Sequence, residues 1–233
     1  MLPKVRFFTL NGLSYKEVWD IQTLLHKDLI AAKLQKRELS IERQILKDQK
    51  HQLIFCEHLP VYTLGKSGST DHLLLTDEEV RNENIEFFKI NRGGDITYHG
   101  PGQITGYPIF DLDEFVTDVH IFVRNIEEVI IRYLAFHNLE GIRLPKYTGV
   151  WLPPDKTSQK FRKICAIGVH LSRWVSMHGF AFNVNTDLSY FEKIIPCGIV
   201  DDNKTVTSLD REVGQYMLCT RPNFTTRPSA PWE

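Results

Sequence analysis

Cys197 stands between Pro196 and Gly198. Proline fixes the entry of the chain and glycine leaves the approach uncovered, so the sulfur can be presented at a turn. A cysteine attacks as the thiolate, and a neighbouring cation lowers its pKa. The candidate cation is Lys163, which opens the run Lys163-Ile164-Cys165-Ala166-Ile167-Gly168. At the edge of such an apolar strand a lysine is partly desolvated, which depresses its own pKa and makes it a usable base. Each residue alone also has a plainer reading. A lone cysteine is commonly a small buried hydrophobe, and a lone lysine a solvated strand end.

A second concentration of chemistry runs from Arg92 to Gln103, where four glycines and a proline alternate with Arg92, Asp95, Thr97, Tyr98, His99 and Gln103. Glycine allows close backbone approach and positive φ, as a ligand-cradling loop requires. The plainer reading is a tight hairpin with polar turn residues. His58, His99, His170 and His178 invite a metal, with Cys56–His58 and Cys165–His170 as ligand pairs, but these spacings match no common zinc site. A core or loop histidine is the expectation for each except His99, which is read as a polar wall of a substrate cleft. Gly65-Lys66-Ser67-Gly68 resembles part of a phosphate loop. It lacks the upstream glycine and the full spacing, so that reading is rejected.

These residues need a scaffold. Val5–Leu10 reads as a first strand. Ser14 with Glu17 forms a capping-box pattern, and Val18, Ile21, Leu25, Leu29 and Ala32 recur at helical spacing, so 15–35 is an amphipathic helix. The charged run 33–50 is read as a solvated connection or helix extension. Strands are expected at 52–56, 61–64, 85–90, 104–112 and 149–152, and a hairpin at 163–172 and 175–184 turning at Arg173-Trp174. Short helices are expected within 71–84 and 189–194. A longer one, from about 118 to 137, would be capped by Thr117 and carry the apolar stripe Val119, Phe122, Ile126, Ile130, Tyr133 and Leu134. Interleaved strands and helices argue a single α+β (α/β) domain over 1–219, with mixed or antiparallel sheets flanked by helices. The Pro- and Thr-rich residues 220–233 read as a disordered tail.

Composition narrows the function. The 233 residues carry a net charge of −1, so there is no basic excess to bind nucleic acid through phosphates. Cys56, Cys165, Cys197 and Cys219 form no CxxC pair, neither a zinc framework nor a disulfide scaffold. Free thiols suggest a reducing cytosol, hence a cytoplasmic protein. The N-terminal apolar run is too short for a signal peptide, and no stretch approaches a membrane span.

Taken together, the motifs resemble those of the octanoyl-[acyl-carrier-protein]:protein octanoyltransferases. Arg92 to Gln103 meets the family signature RGGxxTxHGPGQ without a break. Glu57-His58 to Gly65, Lys163 to Gly168, His178-Gly179-Phe180-Ala181 with Asn183, and Pro196-Cys197-Gly198 follow in family order, over roughly residues 50 to 200. Two departures are Ile195 before Pro-Cys-Gly, where Asn is more usual, and Cys165 in place of a more usual Ala. The resemblance implies the catalytic fold shared with biotin and lipoate protein ligases. It implies that Cys197 carries the acyl group and that Lys163 activates it. It further implies an acyl site lined by Arg92, Gly93, Gly94, Asp95, Ile96, Thr97, Tyr98 and His99, by Ala166, Ile167 and Gly168, and by Gly179, Phe180 and Ala181. The implied donor is octanoyl-acyl-carrier protein. The implied acceptors are lipoyl domains of 2-oxoacid dehydrogenase complexes and the glycine cleavage H protein. No cofactor or metal is implied, and no nucleic acid or membrane partner. The rivals are an ATP-dependent lipoate or biotin ligase on the same scaffold, an acyl-thioester hydrolase, and a non-catalytic acyl-binding module.

Overall fold

A computed structural model describes residues 3–37, 51–156, 158–195 and 203–214. Pro196-Cys197-Gly198, Cys219, the run 38–50 and the expected tail 220–233 lie outside the described residues.

Among the described residues the strands form two sheets. The larger has the order β1 (Val5–Leu10), β2 (His51–Cys56), β6 (Gln103–Ile109), β10 (Val175–Asn183), β9 (Phe161–Ser172), β8 (Tyr147–Leu152), β7 (Ile142–Leu144). β1 runs parallel to β2 and the other neighbours along this path are antiparallel. The twelve-residue β9 pairs with β10 from Cys165 onward, while Phe161–Lys163 pair in parallel with β11 (Lys204–Val206). The smaller sheet is β4 (Glu86–Lys89), β3 (Val61–Leu64) and β5 (Ile96–His99), with β3 central. Helices α1 (Tyr15–Arg37) and α3 (Val119–Ala135) pack on the larger sheet, and α2 (Asp77–Asn82) and α4 (Leu209–Val213) are short. This is the mixed α+β architecture expected from the alternation of periods. Among the described residues no helix is long and apolar enough to cross a membrane.

Local chemistry sets the boundaries. Ser14 and Glu17 close the expected capping box, with Ser14 N–H donating to Glu17 Oε2 at 2.8 Å and Glu17 N–H to Ser14 Oγ at 3.3 Å. The cap of α3 is Asp118 rather than Thr117, since its carboxylate accepts from His120 N and Ile121 N. The 71–84 region splits into a 3₁₀ turn, Thr70–His72, and α2, which has its own Thr76–Glu79 capping box. The 189–194 helix is a 3₁₀ turn over Leu188–Lys193, capped by Asp187. The turn at Arg173-Trp174 has φ of +52° and +63°, the left-handed pair that a two-residue hairpin needs. β7, β11 and α4 were not expected.

The face of α1 is rotated from the one its apolar spacing indicates. Tyr15, Val18, Gln22, His26, Leu29 and Lys33 are buried, whereas Ile21 and Leu25 are only partly so. Its polar members bond the hairpin beneath: His178 N–H donates to Gln22 Oε1, His26 Nε2 meets Val175 O, and Lys33 Nζ donates to Arg173 O. Lys33 also pairs with Asp111 at 2.6 Å and Asp113 at 2.7 Å. This corrects the reading of Lys33 as a solvated charge. A sequence window registers the charge and not the carboxylates that tertiary folding brings to it.

Candidate active site

The signature stretch is only partly a loop. Ile96–His99 is strand β5, and the glycines flank it. Alternation along the strand separates its side chains. Tyr98 points into the core of the small sheet and stacks on Tyr190, centroids 4.5 Å apart, while His99 and Thr97 line a cleft of about 620 Å³. Tyr98 therefore stands apart from the other signature residues, Arg92 to Thr97 and His99, which all border that cleft.

Arg92 locks the stretch in place. Nη2 donates to Thr63 O at 2.6 Å and to Thr63 Oγ1 at 3.0 Å, and Nη1 donates to Gly93 O at 3.0 Å. Around it three glycine-bearing segments meet. Gly93 N–H donates to Val169 O at 2.9 Å, laying the stretch on β9. A Cβ on Gly168 would stand 2.7 Å from Gly93 O, and one on Gly65 would stand 2.9 Å from Arg92 Nη1. The glycine of the Ala166-Ile167-Gly168 segment is thus required by close backbone approach. The rejected phosphate-loop fragment has a structural task. Gly65, Lys66 and Ser67 donate their N–H groups to the carbonyls of Asp95, Arg92 and Gly94, at 3.2, 3.0 and 3.2 Å. Those donors are not available to a phosphate.

His99 sits in a buried relay. Gln103 Nε2 donates to Tyr98 O at 3.1 Å and Asn183 Oδ1 at 2.9 Å, so its Oε1 accepts from His99 Nδ1 at 2.7 Å. Asn183 Nδ2 donates onward to Thr207 O at 2.9 Å, and Thr207 N–H to Lys163 O at 2.9 Å. Burial, then the nearby His58, holds the His99 imidazole neutral, well below its ordinary pKa. Gln103, Asn183 and Thr207 therefore tie the signature strand to the strand that bears Lys163.

Lys163 is the third residue of β9 rather than its first. It is buried, lines the cleft and stands 4.6 Å over the Trp151 ring. The cleft also takes in Ala166 to Val169 and His178 to Ala181, with Glu127, Arg124 and Lys146 from α3 and the β7–β8 hairpin. Thus Lys163 and the three substrate-binding segments expected from the sequence border one cavity. The remaining described cysteines are of another kind. Cys165 is fully buried in the core against α3, and burial pushes its thiol pKa up. Cys56 is buried against Thr105 and His58, its pKa pushed up to about 12 by desolvation. Both are packing groups. Among the described residues no group of three or more His, Cys, Asp or Glu is placed to hold a metal ion.

Pro196-Cys197-Gly198 lies outside the described residues, but both of its flanks reach this neighbourhood. Ile195 N–H donates to His72 O at 2.8 Å, and His72 Nδ1 pairs with Asp95 Oδ2 at 2.6 Å. On the other side, Phe161 N–H donates to Asn203 O at 2.9 Å, and Val206 pairs with Lys163. Sequence reasoning missed Tyr15, Tyr107 and Glu127, which line the cleft, and His72, which holds Asp95. His72 had a signal in its position beside the apolar Leu73-Leu74-Leu75 run, while the others read as core or surface.

Residues 29–222 match the family of the lipoyl protein ligase A/B catalytic domain. A curated octanoyltransferase of Cytophaga hutchinsonii is 52% identical over 204 residues, 88% of this chain and 82% of that protein. One from Christiangramia forsetii is 52% identical over 215 residues, 92% of this chain and 88% of that protein. Among solved structures, a bipartite lipoate protein ligase from Thermoplasma acidophilum superposes with a TM-score of 0.59 at 16% identity, covering 92% of this chain and 78% of that one. At that identity the likeness concerns the fold.

Proposed function

The chain belongs to the lipoyl protein ligase A/B catalytic-domain family and is an enzyme of the octanoyltransferase type, and on that premise we propose that it moves an octanoyl group from an acyl-carrier-protein thioester to a lysine of lipoyl domains, through a thioester on Cys197. Lipoyl domains of 2-oxoacid dehydrogenase complexes and the glycine cleavage H protein are the acceptors. The catalytic unit spans 1–219, and the free thiols suit a reducing cytosol.

The observation that carries this reading is the buried Lys163 in the cleft it shares with the signature residues, beside the two flanks of Cys197. In the first step the Cys197 thiolate attacks the donor carbonyl, and the carrier thiol leaves and takes up a proton. One thioester replaces another, so the exchange is nearly balanced. In the second step a lysine amine attacks, a carbon–nitrogen bond forms, the Cys197 carbon–sulfur bond breaks, and the amide product is downhill. Lys163 takes the proton from Cys197, returns one to the leaving carrier thiol and later accepts one from the incoming amine. The tetrahedral oxyanion needs donors. Gly93 N–H is already used by Val169 O, so the donors come from elsewhere. The acyl chain lies along the trough bordered by Arg92 to Thr97 and His99, by Ala166 to Gly168 and by Gly179 to Ala181. Each buried methylene contributes about 0.8 kcal/mol.

Intact mass spectrometry after mixing with octanoyl-carrier protein tests the reading. One octanoyl group, labile to hydroxylamine, is expected on wild type and on Cys165→Ala, with none on Cys197→Ala. Label that persists in Cys197→Ala but vanishes in Cys165→Ala would overturn the assignment. Full-rate release of free octanoate without an acceptor would make the protein a hydrolase.

A further inference from the structure

His178 is buried within β10, paired with Val169, and its φ is +60°. The other left-handed non-glycine residues among those described, Asn84, Asn138, Lys146, Arg173 and Trp174, all lie in turns. A left-handed histidine inside a strand is a strained backbone that persists only where its surroundings hold it, and such positions concentrate at functional sites. Here the holders are visible. Its N–H donates to Gln22 Oε1 at 3.2 Å, and its ring Nε2 donates to Asn91 Oδ1 at 2.7 Å. Gln22 is itself fully buried, and its Nε2 has no partner among the described residues. A buried amide is thus kept under-satisfied beside this one peptide.

His178 lines the cleft, and its ring is tied at Nε2 to Asn91. With Nε2 used as the donor to Asn91, a neutral imidazole carries its lone pair on Nδ1. The ring is kept neutral by burial, then by the charge of Arg92 and of His170 and His26, which together bring its pKa down to about 3. An uncharged acceptor beside the Arg92 guanidinium suits a neutral N–H group and disfavours an ammonium.

We propose that His178 is a substrate-binding residue whose Nδ1 accepts a hydrogen bond from a neutral N–H of a reactant, the left-handed backbone being retained to aim it. This rests on the acyl-transfer reading above. Two reactants of that reaction offer such a group: the amide in the arm of a carrier-protein thioester, and the deprotonated amine of the attacking lysine.

The two half-reactions separate these sources. Acylation by octanoyl-carrier protein and deacylation of isolated acyl-enzyme by a lipoyl domain are each timed by intact mass in wild type, His178→Gly and His178→Asn. Glycine takes φ +60° without strain, and asparagine tolerates it, so both keep the backbone path. The expected result is a folded protein by thermal melting with one half-reaction slowed roughly tenfold. Slowed acylation that is spared with a simple octanoyl thioester lacking the amide assigns the carrier arm, and slowed deacylation assigns the amine. Asn91→Asp supplies a second readout. Its carboxylate keeps the acceptor oxygen for Nε2 but favours the imidazolium, so Nδ1 becomes a donor at low pH. Activity should fall below wild type in acid and recover as pH rises. Rates equal to wild type in both half-reactions for His178→Gly, or an Asn91→Asp profile identical to wild type, overturn the proposal while leaving octanoyl transfer intact. Wild type that takes up no octanoyl group overturns both readings.

Discussion

At the scale of single residues, Lys163 and His99 are buried in one cleft but differ in what their removal should do. Lys163→Ala is expected to lose most transfer activity because the attacking thiol then stays protonated at neutral pH. Lys163→Arg should not restore it, since arginine keeps the charge but cannot act as a base. Steady-state transfer to a lipoyl domain measures this, and a wild-type rate in Lys163→Arg would show that charge alone was needed. His99 also has a mechanical task. Removing its ring leaves Gln103 Oε1 without its 2.7 Å donor in a buried relay. An unsatisfied buried acceptor costs about 1–3 kcal/mol, and each kcal/mol moves the midpoint by about 2–4 °C in a chain of this size. His99→Ala should therefore melt several degrees low and transfer slowly. Transfer at the wild-type rate below its midpoint would make the relay purely structural.

At the scale of elements, the cleft exists because backbones approach each other closely. The signature stretch rests on β9 through Gly93 N–H and Val169 O, with Gly168 beneath it. Gly168→Ala places a methyl group against Gly93 O and should lift the stretch off the strand. Overpacking of this kind costs about 1–3 kcal/mol, and the expected outcome is a larger loss of transfer than of thermal stability. The opposite wall depends on Glu127. Its carboxylate is 1% exposed, accepts from Gly149 N–H at 3.0 Å, and pairs with Arg124 at 2.7 Å and Arg143 at 3.2 Å. It thereby fastens the β7–β8 hairpin to α3. Glu127→Ala leaves Gly149 N–H without its acceptor and the half-exposed Arg124 without its carboxylate, while Arg143 keeps Glu128 at 2.6 Å. About 1–3 kcal/mol of destabilisation, the cost of an unsatisfied buried donor, is expected in urea unfolding, and a change under about 0.5 kcal/mol, the range of an ordinary surface substitution, would show that the hairpin is held by packing alone.

At the scale of the molecule, several histidines are folded in as neutral groups. Burial lowers the pKa of His58 to about 4 and that of His178 to about 3, and holds His99 well below its ordinary value. Unfolded, each titrates near 6.5, so below that pH the unfolded chain binds more protons than the folded one. The stability these groups contribute is present above about pH 6.5 and is lost as pH falls toward their folded values. Each costs roughly 1.4 kcal/mol per pH unit across that window. Urea midpoints should be flat from pH 8 to 7 and fall steeply from about 6.5 to 5. A midpoint that holds constant to pH 5 would mean that the rings are protonated in the folded state.

The sequence by itself determined the elements with strong period and local caps: α1, α3, the β9–β10 hairpin, and the positions of Lys163, the signature stretch, Ala166 to Gly168 and Gly179 to Ala181. The signals for the elements are local, since hydrophobic period and capping pairs are read within a few residues of chain, whereas the substrate-binding segments were legible through their resemblance to a family's motifs. Only the tertiary structure decided which faces these elements turn inward. The apolar spacing of α1 could not announce that Gln22, His26 and Lys33 would be buried, because their partners at His178, Val175 and Asp111 lie 78 or more residues away. The separation of Tyr98 from His99 followed from strand alternation inside what read as a loop. The left-handed backbone of His178 left no mark in residue type, since the bonds that hold it come from α1 and from Asn91, and only folding brings them together.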